Sequence, residues 1–124
     1  MNVSYLTPEE LIEIHKLLLE EFGGSEGLRD RGLLESACYR PRSGYYETIF
    51  NQAAALLHSL AMNHVFVDGN KRIAWVAAKT FLWVNGYHLK ASVDDAESFV
   101  LDLIVERSAV ESIAAWLADR TTAR

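Results

Sequence analysis

Nine residues in mid-chain, His64-Val-Phe-Val-Asp-Gly-Asn-Lys-Arg72, hold a base, a carboxylate, an amide and two adjacent cations. His64 can take a proton from a hydroxyl near neutral pH. Asp68 suits Mg2+, which uses one or two protein carboxylates and fills its shell with phosphate oxygens and water. Gly69 lets the backbone turn sharply, and Asn70 suits the N-cap of a following helix. The N–H groups of residues 69–72 then converge at a helix N-terminus, whose free amides and dipole attract anions. Lys71 and Arg72 fall in that first turn, where carboxylates are preferred and cations are locally unfavourable. A bound polyphosphate removes the conflict. Phe66, between Val65 and Val67, reads as the anchor of the loop in the core. Base, metal ligand, anion cradle and phosphate-binding cations together suit phosphoryl or nucleotidyl transfer.

The elements that must position these residues are helical. Thr7-Pro8-Glu9-Glu10 carries a capping box and a proline suited to the first helical position. Leu11, Ile14, Leu18 and Phe22 recur at helical spacing until Gly23-Gly24. Asp30 is a second candidate cap, for a short helix through "RGLLESACY" that Pro41 stops. From Glu47 to about His64 a stripe of Ile49, Ala53, Leu56, Leu57, Leu60 and His64 predicts a buried helix with the His64 ring facing inward. A further helix, Lys71 to about Asn85, shows Ile73, Val76, Ala77, Phe81 and Val84 on one face, and Asn85-Gly86 closes it. "YHLKA" reads as one short extended piece. Asp94–Glu106 is another helix, and Ser108-Ala-Val-Glu111 reads as a capping box opening the last one. "RTTAR" reads as a frayed tail. The expected fold is all-α: a single domain over residues 1–124, about six helices, with the nine-residue loop between two central ones.

Arg40-Pro-Arg-Ser-Gly-Tyr-Tyr46 resists a helix assignment. Arg40, Arg42, Tyr45 and Tyr46 make it a candidate flap for docking a protein target, because arginine and aromatic side chains favour binding surfaces. Of the remaining histidines, His58 lies off the His64 stripe, and His15 and His88 have no acidic or histidine partner at ligand spacing; all three read as structural or surface.

Bulk composition narrows the function classes. The chain has 124 residues, half of them hydrophobic, and a net charge of -5. That balance predicts one packed core and disfavours a nucleic-acid surface, which needs a basic face. The single cysteine, Cys38, forms no internal disulfide and reads as a small buried apolar residue. Neither a signal peptide nor an apolar run long enough for a membrane span is visible, so a cytoplasmic protein is expected.

The loop "HVFVDGNKR" closely resembles the signature of the Fic/Doc superfamily, H-x-F-x-(D/E)-(G/A)-N-(G/K)-R. "GGSEGLRDRGLLESACYRP" before it and "FLWVNGYHL" after it resemble the Doc (death-on-curing) branch. The resemblance implies a compact helical Fic-like fold, with His64 as general base and Asp68 as Mg2+ ligand. It also implies Asn70 at the anion cradle, Lys71 and Arg72 on the phosphates, Phe66 as the buried anchor and Gly69 as the small loop residue. The Fic branch moves AMP from ATP to a protein hydroxyl and has glycine where this chain has Lys71. The Doc branch has lysine there and is implied to transfer the γ-phosphate of ATP to a threonine of translation elongation factor Tu, as the toxin of a toxin–antitoxin pair. Many AMP-transferring members carry a second arginine three residues after the first; Trp75 stands there. The inhibitory pattern (S/T)-x-x-x-E-(G/N) of some Fic proteins is approached at Ser43–Glu47, but Thr48 follows where Gly or Asn is needed. Control from outside is therefore implied, by a small Phd-type antitoxin, for which surface around Trp83 or Trp116 is a candidate seat. AMP transfer, and a non-catalytic helical module binding through residues 40–46, stand as the alternatives.

Overall fold

The computed structural model describes residues 2–124 and is built from six helices with one small two-stranded sheet. Helix α1 spans Pro8–Phe22; Thr7 caps it, its side chain accepting from the Glu10 amide while the Glu10 carboxylate accepts from the Thr7 amide. Helix α2, Arg31–Tyr39, is capped by Asp30 and runs into a single 3-10 turn, Arg40–Arg42, with Pro41 at its start. Helices α3 (Ile49–Met62) and α4 (Asn70–Val84) follow, then α5 (Val93–Glu106) and α6 (Val110–Asp119). All-α is the class observed.

The core is organised around α3. Ala53-Ala54-Ala55, Leu56, Leu57, Leu60 and Ala61 are all buried, so this helix is covered on most sides. Consecutive alanines leave room for neighbours to approach closely, and α4 and α6 pack most extensively against it. Ile73, Ala74, Ala77, Ala78, Phe81 and Leu82 complete the seam from α4. Cys38 lies inside this core, where burial pushes its thiol up to about 11.

Three boundaries differ from the sequence expectation, each for a tertiary reason. The tail does not fray: Thr121–Ala123 forms strand β2, antiparallel to β1 (Tyr87–Leu89), with Tyr87 opposite Ala123. Arg124 extends this hold, its Nε donating to the Trp83 carbonyl at 2.7 Å and its guanidinium lying over the Trp83 ring. Helix α6 begins after Ala109 with no side-chain cap, so Ser108 does not form the expected capping box. Helix α3 ends at Met62, two residues before His64.

Candidate active site

Residues 63–69 leave α3, turn, and enter α4. Asn63 closes α3, and His64 follows with φ 47°, in the left-handed region. This backbone reversal removes His64 from the helical stripe of Leu57 and Leu60 and leaves it exposed. The inward orientation expected from periodicity is thus incorrect, because the helix carrying that periodicity has already ended. Val65 and Phe66 then turn into the core, at 0% and 2% exposure, while Val67 and Asp68 face out.

Phe66 is held from three sides. Its ring stacks on that of His15 from α1, centroids 3.8 Å apart and 10° from parallel. Its amide donates to Asn70 Oδ1 and its carbonyl accepts from Asn70 Nδ2, both at 2.9 Å. A lone antiparallel bridge joins it to Leu28. Asn70 is therefore not the N-cap expected from its type. Gly69, left-handed at φ 75°, takes that position, and Asn70 is the first helical residue, its amide side chain spent on the Phe66 backbone. Any contact of Asn70 with an anion would fall to its main-chain N–H.

Asp68 is exposed and held by backbone amides. Ser25 N–H donates to Oδ2 at 3.0 Å and Gly69 N–H to Oδ1 at 2.8 Å. These two bonds, with smaller help from Arg72 and His15, hold its carboxyl below the usual carboxylate range, so it is ionised at neutral pH. Its carbonyl lies 2.8 Å from His15 Nε2, which ties the loop to α1 from beneath. Among the described residues no group of three or more His, Cys, Asp or Glu converges as a metal site. One ionised carboxylate is a donor set that fits Mg2+, an ion that takes one or two protein carboxylates and draws its other ligands from phosphate and water.

The first turn of α4 contains no acidic residue. Its ladder starts with Ile73 N–H donating to the Gly69 carbonyl, so the amides of Asn70, Lys71 and Arg72 precede it. Lys71 and Arg72 are both exposed, and the Arg72 guanidinium rests over the Phe22 ring at 4.4 Å. Both cations border a groove of about 590 Å3 between α1, α4 and α5, walled by Leu18, Phe22, Trp75 and Val100. Trp75 itself packs edge-on against Phe99 and Trp116.

The segment 40–46 is only partly a free flap. Arg40 turns inward, its guanidinium donating to the Tyr46 hydroxyl at 2.8 Å and to Ser59 Oγ at 3.0 Å, and lying 3.0 Å from His58 Nδ1. Arg40 and Tyr46 thus tie the segment to α3 through internal bonds. Arg42 lies over the Tyr5 ring at 4.9 Å, and Tyr45 is 78% exposed. These two remain outward. Of the tryptophans considered as a partner's seat, Trp116 is stacked on Phe99 at 3.8 Å and covered by Arg120. Trp83 is partly exposed beneath Arg124.

Residues that sequence reasoning passed over form the frame of the site. His15, read as structural or surface, is buried beneath the loop. Segment 24–30 runs alongside residues 63–68: Arg29 side-chain nitrogens donate to the Asn63 and His64 carbonyls, and Val67 N–H donates to the Gly27 carbonyl at 3.0 Å. A β-carbon on Gly24 would sit 2.9 Å from Asp68 Oδ2, so only glycine permits this approach. The Gly23-Gly24 pair with Gly27 close behind was the available signal in the sequence.

The model of the Fic/DOC family matches residues 5–82, which includes the loop and the segment framing it. The chain is 43% identical over 121 residues to "Toxin Doc" of Mycolicibacterium smegmatis, covering 92% of this chain and 91% of that protein. It is 35% identical over 97 residues to "Protein kinase doc" of Escherichia phage P1, covering 75% and 77%. With the signature loop, its frame and this extent of similarity together, the chain belongs to the Fic/Doc family.

Proposed function

We propose that this protein is a Doc-type toxin that transfers the γ-phosphate of ATP to a threonine hydroxyl of elongation factor Tu and so arrests translation. The observation that carries the reading is one loop that holds an exposed His64, an ionised Asp68 four residues on, and an α4 N-terminus whose first turn holds Lys71 and Arg72. The kinase name of the phage relative supports the reaction class.

In this reading the target hydroxyl lies against His64, which takes its proton as the oxygen attacks the γ-phosphorus. The bond from that phosphorus to the β,γ-bridging oxygen breaks, and ADP leaves. The amides of residues 70–72 and the cations Lys71 and Arg72 hold the phosphates and stabilise the charge that spreads over them. Asp68 would hold Mg2+, which would supply neutralisation of phosphate charge. Lys71 fills the position that glycine occupies in AMP-transferring relatives, and Trp75 stands in place of their second arginine. Both features favour γ-phosphate over nucleotide transfer. Arg42 and Tyr45 are the outward groups left to meet the protein target. A Phd-type antitoxin is the expected partner in control.

The test is transfer from ATP labelled at either the α- or the γ-phosphate to purified elongation factor Tu. Label from γ alone supports the kinase. Label from α points to AMP transfer, and none from either leaves a binding module.

A further inference from the structure

The catalytic reading asks that His64 be held still, and its backbone makes that hard. His64 adopts φ 47°, a conformation glycine takes readily and a β-carbon resists. The other described non-glycine residue with positive φ, Arg107, closes α5 on the surface. Left-handed residues after a helix are common, but glycine is the usual occupant. Something must hold a histidine there.

Arg29 is placed to do so. Its Nε donates to the His64 carbonyl and its Nη2 to the Asn63 carbonyl, the latter at 3.1 Å. Its own amide and that of Asp30 both donate to the Val65 carbonyl, at 2.9 and 3.1 Å. Three consecutive carbonyls, 63 to 65, are thus fixed from one short segment. The guanidinium also sits at the C-terminal end of α3, where terminal carbonyls attract a cation. A planar fork can meet two adjacent carbonyls at once, whereas a lysine ammonium offers only a point charge.

We infer that Arg29 is a positioning residue: it holds His64 in the left-handed conformation that presents the imidazole to the target hydroxyl. The inference rests on the reading of His64 as the base. Arg29 touches main-chain oxygens only, so its loss should move the rate of the chemical step and leave nucleotide binding in place.

The test uses the full chain with Arg29→Ala and Arg29→Lys, and two readouts. With magnesium-ATP and elongation factor Tu, kcat falls about 10- to 100-fold in both variants, while the KM for ATP stays within about twofold. Without nucleotide, the 13Cα resonances of Asn63 and His64 move in both variants while those of α6 stay in place. Unchanged His64 resonances overturn the inference even if activity falls. A KM that rises with kcat intact overturns it too, since Arg29 would then serve the nucleotide. A wild-type chain that transfers no phosphate overturns the proposed kinase reading, and the resonances alone then decide whether Arg29 holds His64.

Discussion

Asp68 shows how one residue can be poised by its neighbours' backbones. Two amide donors favour its charged form, so its folded pKa lies below the unfolded value. The group therefore contributes stability above the ordinary carboxylate range and loses it as pH falls through the depressed value. Asp68→Asn should abolish phosphate transfer at neutral pH while leaving the far-UV helical signal intact; loss of that signal would mark the residue as structural. Any difference in melting temperature between Asp68→Asn and wild type should shrink as pH falls below the ordinary carboxylate range. Gly24 is the complementary case. Its φ of 119° and the 2.9 Å approach of Asp68 Oδ2 leave no room for a methyl group. Gly24→Ala should cost about 1–3 kcal/mol of stability in urea unfolding and lower transfer, because the Ser25 amide is drawn away from Asp68. At this scale the types and spacing of the nine loop residues were legible, because they are local, but the outward turn of His64 and the loss of the cap role by Asn70 were not. His15, Ser25 and Arg29 were not: their partners lie 53, 43 and 34–35 residues away, where no periodicity reports them.

At the scale of elements, helices were read well wherever caps and periodicity agreed, as at Thr7 and Asp30. They were misread where tertiary contacts decide the ends. Asn70 has the side chain of an N-cap, yet Phe66 claims both ends of its amide, and Gly69 takes the cap by backbone geometry alone. The tail lacks any apolar run, yet β1 gives it a strand to pair with. The joint between segment 40–46 and α3 rests on His58, Arg40, Ser59 and Tyr46. Burial, with Arg40 beside it, holds His58 below its ordinary 6.5. A depressed histidine binds fewer protons folded than unfolded in the window below 6.5, so stability falls there as pH drops. Thermal melts from pH 7.5 downward should show an acid-side loss that His58→Gln reduces. Identical slopes in both proteins would place the acid sensitivity elsewhere.

For the whole molecule, the central helices and the loop between them form one device. Helix α3, buried on most sides, fixes where His64 emerges, and α4, packed along it, fixes where Lys71 and Arg72 begin. The segment after α1 closes over the loop that joins them. Helical class was legible because hydrophobic period and caps are written in every segment; the packing of 24–30 on 63–68 was not, because neither has a regular period. In the proposed reading Lys71 decides which phosphate is transferred, and the direct measurement is labelled ATP with elongation factor Tu, wild type against His64→Ala. The account predicts label from the γ-phosphate alone, on a threonine, absent in His64→Ala. Label from the α-phosphate, or equal γ-label in both proteins, contradicts it.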